Sequence, residues 1–337
     1  KIFDYGIAGF APKVVLAPGK IVILSEERPD SVRTVFHIRT FLTRPGEWLD
    51  NILEKNTRIE TVTYPVVTTA GDTALLFWVS TTVDGFDVMS SELKAEQKEW
   101  STPKPIYRSP APPEALTASG RGNLIALGWS LRGGPKNSIL IQMVSRDGGN
   151  TWRAPGVLYS VAANAGLIMS VVSATDIAAF IDVMDDKSER LRFKYSVNAG
   201  ETWVPGREID AVELGPGKAA KESRRLSFTT FGDRSVAVAW EEWRDVEVTL
   251  VFRTAPLPAL ANAPARPIPQ PAVADRFSYY PQVWSAGRKL LFTYGNKRKL
   301  KVVTEQNVSA NDLYLVEASA TRPARPKAAP TRSKKPQ

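Results

Sequence analysis

Six times along its 337 residues the chain repeats one phrase, a turn residue followed by a short apolar run. The copies read GKIVILSEE from Gly19, GDTALLFWV from Gly71, GNLIALGWS from Gly122, TDIAAFIDV from Thr175, GDRSVAVAW from Gly232 and GRKLLFTYG from Gly287, at spacings of 52, 51, 53, 57 and 55 residues. Each run is β-branched and aromatic, of strand length, and lacks a helical period. Extended stretches precede several copies (APKVVLAPG, YPVVTTAGD, YYPQVWSAG), and strand-like runs such as SILIQMVS, LRFKYS and VTLVFRT follow. A long fixed period of consecutive antiparallel strands predicts a β-propeller, whose blades bury their faces against one another. A β-helix needs a shorter repeat, and a helical solenoid needs 3.6-residue patterning. The expectation is an all-β, six-bladed β-propeller over residues 1–320. Ring closure removes exposed strand edges, with DLYLVEAS near the C-terminus or the segment around Ile2–Tyr5 as the candidate closing strand.

Two stretches interrupt the rhythm. RSPAPPEA (Arg108–Ala115) reads as a proline-rich blade connection, and Ala255–Ala274 as an extended loop, because so many prolines do not suit a central strand. The net charge of +9 is concentrated at one end: six basic and no acidic residues fall between Arg322 and Gln337. That Pro/Ala/Lys/Arg-rich tail, 321–337, is too poor in apolar residues to fold and is expected to be a disordered, solvated terminus. The body is then nearly balanced and carries no concentrated basic stripe, which argues against nucleic acid as a partner. No uncharged apolar run reaches transmembrane length; the longest is broken by Asp176 and Asp182. The chain starts at Lys1 rather than Met, compatible with a signal peptide already removed and with a secreted, periplasmic or cell-envelope location.

Composition also limits the chemistry. Without cysteine there are no disulfides, thiolate nucleophiles or cysteine-ligated metals. The single histidine, His37, reads as a strand or loop residue and cannot build a histidine-rich metal centre. No cofactor or metal is expected, and any catalysis rests on carboxylates, tyrosine, lysine or arginine.

The most specific motif occurs twice, one blade period apart: SRDGGNTW at Ser145–Trp152 and SVNAGETW at Ser196–Trp203. A hydroxyl (Ser145, Ser196) and a carboxylate or amide (Asp147, Asn198) can accept backbone N–H bonds in a tight turn. Gly149 and Gly200 permit positive φ, Thr151 and Thr202 follow, and Trp152 and Trp203 can bury a large ring. The pattern resembles the Asp-box, or BNR repeat, of the sialidase superfamily. Weaker remnants stand at TRPGEW, ending at Trp48, and EWSTP, around Trp100. In that family the boxes lie on outer turns away from substrate, so the resemblance implies a structural role for both copies.

The resemblance also implies a site. Family sialidases bind an anionic sugar with three arginines, use a Tyr–Glu pair as nucleophile and an Asp as acid/base. The stretch SEERPDS supplies Arg28 and the candidate acid/base Asp30; AKESRRLSF supplies Glu222; FSYYPQVWSAG supplies the nucleophile, Tyr280 or its neighbour Tyr279. Arg244 and Arg276 are the other implied carboxylate ligands, since guanidinium matches a planar carboxylate. Where the family has an Arg-Ile-Pro motif this chain has Phe10–Ala11–Pro12, so one arginine is replaced by Phe10.

Position seven after each turn marker holds Glu26, Trp78, Trp129, Asp182, Ala239 (beside Trp240) and Tyr294. In a common register these form a ring, read either as a sugar-binding funnel in which Trp78 and Trp129 stack on substrate or as tryptophans wedged between blades. The resemblance implies a sialidase-like exo-glycosidase acting on terminal acidic sugars of glycoconjugates; the alternatives are a catalytically inactive propeller that binds glycan or protein, and a scaffold that does neither.

Overall fold

The structure, a computed structural model, describes residues 13–17, 19–27, 35–42, 48–54, 61–134, 137–184, 188–213, 226–231, 235–244, 247–269, 278–286, 289–297 and 311–319. The strands fall into consecutive antiparallel sheets. The first holds β1 (Lys13–Ala17), β2 (Lys20–Glu27), β3 (Val35–Leu42) and β4 (Trp48–Glu54). The second holds β5 (Thr61–Ala70), β6 (Thr73–Thr82), β7 (Gly85–Leu93) and β8 (Lys104–Ser109). The third holds β9 (Pro113–Arg121), β10 (Leu124–Gly134), β11 (Asn137–Ser145) and β12 (Gly156–Val161), and the fourth β13 (Asn164–Val171), β14 (Ile177–Met184), β15 (Ser188–Ser196) and β16 (Val204–Glu213). These four sheets belong to one compact unit, Lys1–Arg224 with Pro256–Asn262.

A second unit, Arg225–Ala255 with Ala263–Gln337, holds the remaining two sheets. One contains β17 (Ser227–Phe231), β18 (Ser235–Arg244), β19 (Glu247–Pro256) and the short β20 (Arg266–Pro267). The other has three strands, β21 (Ser278–Ala286), β22 (Lys289–Lys297) and β23 (Asn311–Ser319). The expected six blades are therefore corrected to five complete four-stranded blades among the described residues, with a three-stranded sheet from the last repeat. DLYLVEAS is the third strand of that sheet: β23 runs along β22 from Lys289↔Ser319 to Lys297↔Asn311.

The apolar runs of the repeat become the second strand of each sheet, and the residues before each turn marker become the first. Side chains on the two faces of a sheet point in opposite directions, so each sheet feeds two clusters. Val22, Leu24, Phe36 and Ile38 of the first sheet meet Val67, Leu76 and Trp78 of the second. Val66, Leu75, Phe77 and Val88 of the second meet Ile125, Leu127, Trp129 and Met143 of the third. A third cluster joins the third and fourth sheets through Leu124, Leu140, Leu167 and Ile177, and within the second unit Ala237, Leu250 and Phe252 meet Val283 and Phe292.

First strands lie beside first strands: β5 against β9, β9 against β13, and in the second unit β17 against β21. Such neighbours share no ladder, and hydroxyls satisfy their backbone donors instead. Met169 N–H donates to Thr117 Oγ1 (3.3 Å), Val171 N–H to Ser119 Oγ (2.9 Å) and Val283 N–H to Ser227 Oγ (3.1 Å).

Three first strands carry a bulge at one level. Thr63↔Val79 and Val66↔Phe77 leave Tyr64–Pro65 opposite Trp78 alone. Glu114↔Ser130 and Thr117↔Gly128 leave Ala115–Leu116 opposite Trp129. Tyr279↔Gly295 and Gln282↔Thr293 leave Tyr280–Pro281 opposite Tyr294. Where position seven is Asp182 rather than an aromatic, β13 and β14 pair without interruption, Gly166 opposite Asp182. The extra residue accompanies the bulky ring on the facing strand, and it bends and twists the first strand locally.

The proline-rich stretches are more ordered than expected. Between β8 and β9 only residues 110–112 connect, and within 255–274 a 3-10 helix, Leu257–Asn262, buries Leu257 and Leu260. Arg266–Pro267 then pairs with Val251 and Phe252 as an edge strand, where the N–H that proline lacks is not required by a further strand. No helix among the described residues is long and apolar enough to cross a membrane.

Candidate functional site

Each of the two octapeptides closes on itself. Ser145 Oγ donates to Asp147 Oδ1 (2.8 Å) and accepts from Gly149 N–H (2.8 Å). Asp147 also accepts from Thr151 N–H (2.9 Å) and from Thr151 Oγ1 (2.6 Å). Hydrogen bonds to the ionised carboxylate, those from the Thr151 hydroxyl and N–H first, lower its pKa to about 2. In the second copy Ser196 Oγ donates to Asn198 Oδ1 (2.9 Å) and Thr202 N–H donates to the same oxygen (3.0 Å). The threonine bond reverses: Asn198 Nδ2 donates to Thr202 Oγ1 (2.9 Å). The two turns share one geometry although only one is charged. Gly149 and Gly200 sit at φ 94° and 76°, where a side chain would be strained.

The tryptophans that end these motifs seal the gaps between sheets. Trp152 packs on the cluster joining the second and third sheets, edge-on to Phe77 at 5.6 Å. Trp203 packs on the cluster joining the third and fourth, and Trp100 on that joining the first and second. Arg146 spans from one motif to the other, donating to Asn198 O (2.7 Å) and pairing with Glu201 (2.8 Å), which Arg153 also pairs (2.8 Å). Hydrogen bonds from Arg153 and then Arg146, together with the charges of both guanidiniums, hold the Glu201 carboxyl below its ordinary pKa. Gly148 N–H donates to Asn123 O and Ala199 N–H to Thr175 O, so the motifs lie at the end of each sheet where the first hairpin turns. An open cleft of about 770 Å³ between them is lined by Asn123, Arg146, Thr175, Val197, Asn198 and Glu201 among others.

The bulges lie towards the other end of the sheets, in the leading half of the first strands. Tyr64 and Ala115 hold left-handed backbone, φ 52° and 51°, and both face solvent, whereas Pro65 and Leu116 behind them are buried. Pro281, behind Tyr280, is buried likewise. At the same end of the second sheet Arg108 grips the buried Asp87 with two bonds, 2.9 and 3.1 Å. On the third sheet Arg132 pairs with Glu114 at 3.4 Å, and Ser130 Oγ donates to the Glu114 carbonyl (3.1 Å).

The residues expected from sequence distribute as follows. Tyr279 and Tyr280 lie in β21 and Arg244 closes β18, all in the second unit. Phe10, Arg28, Asp30, Glu222 and Arg276 lie outside the described residues. Trp78 and Trp129 are not free to stack on a sugar: they are 4% and 0% exposed, and Trp129 packs on Tyr107 at 5.5 Å. Each fills an inter-sheet cluster beneath a bulge, so the funnel assignment of these two rings is corrected to a core one. Sequence reasoning missed Tyr64. Its signal is internal: Tyr64–Pro65 stands seven residues before Gly71 as Tyr280–Pro281 stands seven before Gly287.

No family model matches the chain, and no curated protein sequence matches it. Solved structures do. A protein of unknown function from Dyadobacter fermentans is 14% identical, with 91% of this chain and 92% of that one covered, at a TM-score of 0.53. The fold is an all-β propeller. Trypanosoma rangeli sialidase in complex with sialic acid is 15% identical, covering 91% of this chain and 54% of the sialidase, at a TM-score of 0.55. Penicillium chrysogenum α-L-arabinanase complexed with arabinobiose is 13% identical, covering 92% and 93%, at a TM-score of 0.53. This chain thus spans about half the length of that sialidase and nearly all of the arabinanase. At these identities the likeness shows the β-propeller fold, which this chain shares with glycoside hydrolases, and does not by itself assign an activity.

Proposed function

We propose that the chain is a sialidase-like, retaining exo-glycosidase acting on terminal acidic sugars of glycoconjugates, in a secreted or cell-envelope setting. The observation that carries this reading is the Tyr280–Pro281 bulge in a first strand. The same Tyr-Pro bulge in β5 leaves its tyrosine, Tyr64, facing solvent. The Asp-box resemblance of the two octapeptides supports the reading and gives them the architectural role that their closed hydrogen bonding describes.

In this proposal Arg28, Arg244 and Arg276 bind the sugar carboxylate. Tyr280 Oη attacks the anomeric carbon while Glu222 takes the phenolic proton, and Asp30 protonates the departing glycosidic oxygen. Asp30 then takes a proton from water, which attacks the anomeric carbon; the tyrosine oxygen leaves and recovers its proton from Glu222. Full-length protein should release the phenol from an aryl α-sialoside between mildly acidic and neutral pH. Tyr280→Phe and Asp30→Ala should each lower that rate by about a thousandfold or more, since nucleophile and acid act only in the transition state. No turnover by folded protein anywhere in that pH range defeats the assignment.

Phe10 favours a second reading, a propeller that binds glycan or protein without hydrolysis. It replaces a planar cation with a ring that cannot pair with a carboxylate. Binding of sialylated glycans without product release separates the two.

A further inference from the structure

We propose that Tyr64 is a carbohydrate-stacking platform in the first unit, offering its ring to the apolar face of a pyranose. The proposal goes beyond the hydrolytic reading, because a chain that only bound glycan would use the same platform.

Left-handed backbone is uncommon for residues other than glycine, asparagine and aspartate, and is a marked outlier for a bulky side chain. Three non-glycine residues adopt it among the described residues, Tyr64, Ala115 and Ala199, and only one is large. A turn or bulge needs no tyrosine for this; asparagine would hold the same φ with less strain. Nor does the core need the ring: Tyr64 is 44% exposed while Pro65, Val66 and Val67 after it are buried. It is the one aromatic among the large apolar side chains that stay exposed in the described residues. Strain held at a bulge, with an exposed ring as its product, is the arrangement found where a side chain is aimed at a ligand.

The surroundings suit a sugar. Thr61↔Thr81 pairing places the β6–β7 turn, Val83–Asp84, at the same end of the sheet as Tyr64, and Val83 is exposed. The neighbouring first strand, β9, presents a small exposed residue, Ala115, in its own bulge. Guanidiniums of Arg108 and Arg132, both well exposed, and the carboxylates of Asp84 and Glu114 supply donors and acceptors at that end for hydroxyls or a sugar carboxylate. One apolar face met by an aromatic ring, with polar groups around its rim, is how protein surfaces hold sugars.

The test is binding of a thio-linked sialyl-galactoside, which resists hydrolysis, and of methyl β-galactopyranoside, followed by saturation-transfer NMR and titration calorimetry. The full chain should bind at least one probe with transfer to C–H protons of one ring face. Tyr64→Asn, which keeps the left-handed backbone and removes the ring, should weaken binding by about tenfold or more with an undiminished unfolding temperature. Tyr64→Trp, which keeps a ring, should bind within about threefold of the parent. Tyr64→Asn binding as the parent does, or a parent that binds neither probe, overturns the proposal. Loss of aryl sialoside hydrolysis with probe binding intact bears on the Tyr280 chemistry alone.

Discussion

Asp147 and Asn198 occupy equivalent positions in turns of one shape, and the difference between them is a proton that can be removed. With its pKa lowered from 3.8 to about 2, Asp147 binds its proton less readily folded than unfolded. Its contribution to stability is therefore complete above the unfolded value and fades as pH falls from near 4 towards 2. Asn198 has no such dependence. Asp147→Asn should leave the turn intact at neutral pH, with the Thr151 hydroxyl changing from donor to acceptor as Thr202 already does. In thermal unfolding, the small advantage of the parent over the variant at pH 6 should disappear by pH 2; an advantage independent of pH contradicts this account. The role of these octapeptides was legible because serine, glycine, threonine and tryptophan recur at fixed places. The burial of Trp78 and Trp129 was not, because strand alternation tells which residues share a face but not whether that face meets another sheet or solvent.

At the scale of elements, the first strands govern both packing and the candidate site. They approach so closely that a Cβ on Gly120 of β9 would stand 2.2 Å from the carbonyl oxygen of Thr69 in β5. Neither backbone can yield without disturbing its own ladder, so Gly120→Ala should destabilise the fold by about 2 kcal/mol or more, read from urea unfolding. A loss under half a kilocalorie would mean that the two strands are not held at this distance. The repeat period located these strands from sequence alone, since each precedes a turn residue and an apolar run. The bulges stayed hidden: Tyr64–Pro65, Ala115–Leu116 and Tyr280–Pro281 continue the strand pattern, and their extra residue becomes visible only against the facing strand. Two of the three contain proline, which lacks the N–H a regular ladder position would use. That is the signal a reader of the sequence could have weighed.

At the scale of the whole molecule, period and strand composition were enough to identify an all-β propeller, while the number of complete blades was not. The sheet of the last repeat holds three strands among the described residues, where the other repeats each give four. Counting turn markers finds second strands and cannot show how many partners each one gains. The proposed chemistry has the same character. Order along the chain suggested Asp30, Glu222 and Tyr280, but convergence of distant blades is a property of three dimensions that no spacing encodes. The central claim, that a tyrosine in a bulged first strand is the nucleophile, meets its most direct test in covalent trapping. Full-length protein would be incubated with a fluorinated sialyl fluoride, whose electron-withdrawing substituent slows release of a glycosyl-enzyme, then digested and analysed by mass spectrometry. The account predicts one sialyl adduct on the peptide carrying Tyr280, absent from Tyr280→Phe; no adduct on folded protein, or an adduct that survives in Tyr280→Phe, would contradict it.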